Sequence, residues 1–172
     1  LSKSNFLINF ITVGFWTFIS RIFGFIRDIM LAAFLGSGPI GEAFIIAFSL
    51  PNIFRRFFAE GAFNAAFIPM FKKSMGNKKQ SIKFTNNTLS VMILVLLVFT
   101  TISIIIMPIL VLAMASGFGN DNRFETSVFF GRITFPYIFF VSVSSLFAGI
   151  LNSFGKFGIV SAAPIFLNIG LI

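Results

Sequence analysis

The 172 residues contain no cysteine and no histidine. Disulfides, thiolate nucleophiles and imidazole, whether as base or as metal ligand, are therefore excluded within this stretch. Charge is scarce as well, since only 10% of the residues are Asp, Glu, Lys or Arg, against about 25% in soluble domains. No metal-spaced cluster, no nucleophile with a base partner and no phosphate-cradling glycine loop is present. The sequence thus offers no catalytic residue, no metal site and no cofactor.

What is abundant is apolar: 57% of residues are hydrophobic and mean hydropathy is +0.99. Such a chain is an all-α integral membrane protein. A net charge of +8 would suggest nucleic acid in a soluble domain, yet five of the thirteen basic residues crowd between Lys72 and Lys83. That is loop charge, and no nucleic-acid partner is expected. The 28 Phe residues accompany plentiful Ile, Lys and Asn, a coding bias, and carry no functional weight. Lys3 before an apolar run imitates a signal peptide, but the run is too long, holds Arg21, Arg27 and Asp28, and lacks a cleavage pattern.

About 20 apolar residues cross a bilayer, and more are needed with tilt or kinks. On that basis the sequence predicts helices over about 6–35, 40–71, 84–116 and 123–152, with a fifth beginning at about 159–172. Together they make 1–172 a partial N-terminal transmembrane lobe. Pro51 is expected to kink or interrupt the second helix and Pro108 to bend the third. Lys72 to Lys83 is expected as a polar loop. Lys3, this loop and Lys156 all fall on one side, which the positive-inside rule places in the cytoplasm together with the N-terminus. The last span stops at Ile172, so these residues read as the first part of a larger transporter.

The most informative stretch is Gly14 to Asp28. Wound as a helix, Gly14, Thr17, Ser20, Arg21, Gly24, Arg27 and Asp28 share one arc of about 140°, and the other eight residues are all apolar. Three charges at bilayer depth cost about 8–10 kcal/mol on the insertion scale, so the polar arc must face protein or water. Arg21 and Asp28 lie two turns apart and do not pair directly, an arrangement better suited to lining a cleft than to forming a closed ion pair. After Pro51, Asn52, Arg56, Glu60 and Asn64 repeat at i, i+4 along one ridge, where Arg56 and Glu60 can pair, with Arg55 on the flank. Interhelical packing is a competing role for Arg56, Glu60 and above all Arg132, and Gly14, Gly24, Gly61 and Gly149 read as sites of close helix approach. Arginine stays charged when desolvated and grips phosphate through paired N–H groups, which favours an anionic cargo such as a pyrophosphate.

Ser20-Arg21-Ile22-Phe23-Gly24-Phe25-Ile26-Arg27-Asp28 and the run from Leu50 to Phe63, containing Arg55-Arg56 and Glu60-Gly61, resemble two long motifs of the MurJ (MviN) family of lipid II flippases. Ala66-Phe67-Ile68-Pro69, Thr134-Phe135-Pro136-Tyr137, Ala148-Gly149-Ile150-Leu151-Asn152, Ala163-Pro164 and Leu167-Asn168 extend the resemblance along the chain. It covers about the first third of such a protein. The resemblance implies an incomplete N-terminal lobe of a two-lobed exporter fold in the bacterial inner membrane, working as a monomer when full length. Its cargo would be lipid II, the undecaprenyl-pyrophosphate-linked peptidoglycan precursor, moved to the periplasmic leaflet by alternating access. It further implies that Arg21, Arg27, Asp28 and Arg55 bind substrate, and that Ser20, Gly24, Arg56 and Glu60 serve the cavity or its gating. The alternatives are an exporter of undecaprenyl-linked polysaccharide units, a multidrug extruder, or a membrane subunit that does not transport.

Overall fold

A computed structural model of the chain describes residues 3–58, 62–118 and 121–170. Among them all regular structure is helical: α1 (Lys3–Leu35), α2 (Pro39–Phe58), α3 (Ala62–Ser74), α4 (Lys78–Ile105), α5 (Met107–Met114), a 3-10 turn (Ser116–Phe118), α6 (Asn122–Thr134), α7 (Tyr137–Ser153) and α8 (Phe157–Gly170). The chain divides into two compact units, Leu1–Gly36 with Leu151–Ile172, and Ser37–Ile150.

In the first unit α1 packs along α8. Space for a Cβ on Gly158 is limited by Thr12, whose Cγ2 would lie 3.0 Å away, while Ser20 and Arg27 reach Asn168. Residue numbers rise together on both helices, so the two run parallel. Gly36 closes α1 at φ 64, and Gly155 turns the chain from α7 into α8 at φ 75. There the amides of Gly155 and Lys156 donate to Asn152 and Leu151 carbonyls at 3.0 Å each, a Schellman closure that needs a left-handed residue.

The second unit has two packed clusters. Leu50, Met107, Val111, Val128, Phe135 and Ile138 join α2, α5, α6 and the start of α7. Phe67, Phe71, Met92, Leu96 and Leu146 join α3, α4 and the middle of α7. Interlocked rings hold the first cluster, with Phe54, Phe99 and Phe135 at centroid separations of 5.1–5.8 Å. These three phenylalanines thus work in packing.

Helix bounds depart from the sequence reading where local hydrogen bonding overrides proline and charge. Most of the expected lysine loop is helical: Lys72 and Lys73 end α3, and Lys78, Lys79 and Lys83 open α4. Asn77 caps α4 by accepting from the Lys79 and Gln80 amides at 3.0 and 3.4 Å, and Ser81 Oγ donates to the Ser74 carbonyl at 2.7 Å, so three residues suffice for the turn. α2 runs straight through Pro51, which is fully buried. The acceptor that Pro51 leaves without an amide, the Ala47 carbonyl, lies 3.4 Å from Thr134 Oγ1 on α6; that hydroxyl divides its single proton with the carbonyl of Phe130 at 2.9 Å and that of Gly131 at 3.4 Å. Pro108 sits in the first turn of α5, where a missing amide is tolerated, and the third crossing breaks at Ile106 instead of bending within one helix.

The surface is inverted relative to a soluble protein. Ser127 and Ser142 are 0% exposed, whereas Phe166 is 76%, Ile105 68% and Phe140 68% exposed. Two helical stretches, Lys78–Ile105 and Asn122–Ser153, are long and apolar enough to cross a membrane. With lipid as solvent, apolar surface gains nothing by burial, and association rests on close packing and interhelical hydrogen bonds.

Candidate functional site

The polar arc of α1 is divided by α8. Its edge of Ser20, Gly24 and Arg27 meets α8, while Gly14, Thr17, Arg21 and Asp28 are exposed. Arg27 is the residue most firmly placed: its side chain is 20% exposed, against 64% for Asp28. Nη1 of Arg27 donates to Asn168 Oδ1 at 2.9 Å, and Nε and Nη2 donate to Asp28 Oδ1 at 3.1 and 2.8 Å. A closed ion pair thus forms on this face, between Arg27 and Asp28, which the sequence reading did not foresee. Arg27 bends along the helix to its immediate neighbour, a pairing that wheel angles do not reveal because they ignore side-chain length.

Asn168 is the residue that sequence reasoning left out of the site, although it stood within the Leu167-Asn168 match. It is 6% exposed. Its Nδ2 donates to the Ser20 carbonyl at 3.0 Å, and a Cβ on Gly24 would lie 3.5 Å from that nitrogen. One amide therefore joins the backbone of α1 to the guanidinium of Arg27. Interhelical hydrogen bonds in membranes contribute about 0.6–2 kcal/mol each. The one Asn of α8, whose polar side chains are otherwise limited to Ser161, was the available signal.

Arg55 and Arg56 fall in the last turn of α2, where cations complement the helix dipole. Arg55 is half-buried and Arg56 exposed. Glu60, its pairing with Arg56, and Gly61 lie outside the described residues. The expected ridge is carried by two helices: Asn52 on α2 donates to the Phe48 carbonyl at 2.9 Å, and Asn64 on α3 donates to Ser145 Oγ on α7 at 3.0 Å. Gly24 and Gly149 permit close approaches, but Gly14 meets nothing within 4 Å.

Arg132 reaches the backbone of α4. Its Nε donates at 3.3 Å to the carbonyl of Ile104, the acceptor that Pro108, four residues later, leaves without an amide. At the N-terminal ends of α2 and α6, Arg123 bonds Glu42 at 2.5 Å and also Asp121, and its Cζ lies 4.6 Å from the centre of the Phe118 ring. These hydrogen bonds from Arg123 hold the Asp121 carboxyl below its ordinary pKa. A shallow cavity of about 220 Å³ between α5 and α6 takes in Glu125 and Arg132, not the charges of α1.

Parallel packing of α1 and α8, buried serines, two long apolar helical stretches and an outward apolar surface define a helical membrane protein in which Arg27 is held by Asp28 and Asn168. A family model described as Lipid II flippase MurJ matches residues 31–172. The chain is 43% identical over 164 residues to the probable lipid II flippase MurJ of Rickettsia prowazekii, covering 94% of this chain and 32% of that protein. It is 44% identical over 167 residues to the corresponding Rhizobium tropici protein (95% and 31%), and 35% identical over 166 residues to the lipid II flippase MurJ of Burkholderia cenocepacia (94% and 32%). The chain belongs to the lipid II flippase MurJ family. It spans about a third of the length of the curated relatives it matches.

Proposed function

We propose that the full-length protein carries lipid II from the cytoplasmic to the periplasmic leaflet of the bacterial inner membrane by alternating access, as a monomer with its N-terminus in the cytoplasm. The supporting observation is Arg27, held in a membrane helix by Asp28 and Asn168. A guanidinium has five N–H groups, and these bonds engage one on each of its three nitrogens. One N–H on each Nη is left without an assigned acceptor among the described residues, which suits paired donation to diphosphate oxygens. Arg21, Arg55 and Asp28 complete the substrate-binding set in this reading, with Ser20, Gly24, Arg56 and Glu60 in cavity or gating roles. The names of the relatives favour lipid II over other undecaprenyl-linked cargo or drugs.

A leaflet-specific assay of lipid II in cells that depend on the full-length protein tests this. Depletion should leave lipid II on the cytoplasmic leaflet, and neither Arg27→Ala nor Arg55→Ala should restore its surface labelling. Normal labelling with either variant would remove that residue from the binding set.

A further inference from the structure

The geometry points to Asn168 as the positioning residue for Arg27, fixing where the open N–H pair of the guanidinium is presented; this rests on the substrate-binding reading of Arg27 given above. Asn168 is almost wholly buried and uses both ends of its amide, Oδ1 toward Arg27 Nη1 at 2.9 Å and Nδ2 toward the Ser20 carbonyl at 3.0 Å. Ser20 is seven residues before Arg27, so the amide is anchored two turns away from the group it orients. Asp28 alone could not do this. It is on the same helix, it is 64% exposed, and its Oδ1 receives only the Nε and Nη2 side of the guanidinium. The Nη1 contact is the one that ties the group to a second helix. A shift of α8 along α1 would therefore move or release Arg27, coupling helix position to the grip on an anion.

Two nearly isosteric substitutions separate orientation from simple adhesion. Asn168→Asp keeps an oxygen toward Arg27 and loses the donor to Ser20, whereas Asn168→Leu loses both. In the full-length protein in membranes, phenylglyoxal modification of Arg27, mapped by mass spectrometry, should accelerate roughly 3- to 30-fold in Asn168→Leu, the range of one interhelical hydrogen bond. It should accelerate less in Asn168→Asp, which keeps an oxygen toward Arg27 but loses the anchor on Ser20. Transport of lipid II should fall more in Asn168→Leu than in Asn168→Asp, and fall no further when Asn168→Leu is added to Arg27→Ala. Unchanged Arg27 modification in Asn168→Leu would overturn the assignment. So would equal acceleration in both variants with an equal loss of thermal stability, the outcome of a purely adhesive role. Accelerated modification in Asn168→Leu with normal transport by Arg27→Ala would instead uphold the positioning and remove Arg27 from substrate binding.

Discussion

Gly149 on α7 lies so close to Asn64 on α3 that a Cβ there would stand 2.7 Å from Asn64 Oδ1 and 3.2 Å from Phe67 Cδ1. Neither neighbour can easily retreat. Asn64 Nδ2 is bonded to Ser145, and Phe67 is stacked between Phe63 and Phe71 at centroid separations of 5.5 and 5.4 Å. Gly149→Ala should destabilise the full-length protein by about 1–3 kcal/mol, the usual effect of overpacking. Adding Asn64→Ala should recover part of that loss, because the Phe67 contact persists. Thermal unfolding in detergent measures both.

Arg132 is expected to serve stability and not cargo. Arg132→Ala removes the hydrogen bond to the Ile104 carbonyl and should lower stability by about 1 kcal/mol while lipid II still reaches the outer leaflet. In a Pro108→Ala background, where an amide is available for that carbonyl, the effect of Arg132→Ala should shrink. A double-mutant cycle on unfolding temperatures checks the coupling.

Ser142 on α7 is 0% exposed, and its Oγ has no hydrogen-bond partner among the described residues. A buried hydroxyl without a partner is destabilising, so Ser142→Ala should raise stability by about 1 kcal/mol, readable as a higher unfolding temperature. A fall would mean that this hydroxyl is satisfied in the full-length protein.

The Asp121–Arg123–Glu42 cluster carries a pH dependence. The folded pKa of Asp121 is lowered, first by the side-chain hydrogen bond from Arg123. Its contribution is therefore complete above the ordinary carboxylate value of 3.8 and is lost as pH falls through the lower folded value. Unfolding temperature of the full-length protein should drop more steeply below that pH than in Asp121→Asn. Identical profiles would show that the cluster contributes nothing.

Much of the site was legible because intramembrane charge is so unfavourable that its position is informative. The arc holding Arg21, Arg27 and Asp28 could be read from a helical wheel, as could the apolar character of the faces around it. Asn168 could not be assigned its role that way, since 141 residues separate it from Arg27 and only the packing of α8 on α1 brings them together. Arg132 shows the same limit: Pro108 says locally that the Ile104 carbonyl lacks its amide, but not that an arginine 28 residues away bonds it.

Composition and periodicity by themselves determined that this chain is helical, apolar enough for a membrane and gathers cations on one arc of α1, because those properties follow from transfer free energies and helical spacing read residue by residue. Tertiary structure alone decided which edge of the α1 arc is buried, why α2 passes through Pro51 unbroken, and which amide orients Arg27. Each of these depends on a hydrogen bond between helices distant in sequence, and in a solvent of lipid such bonds and close packing, not apolar burial, choose the partners.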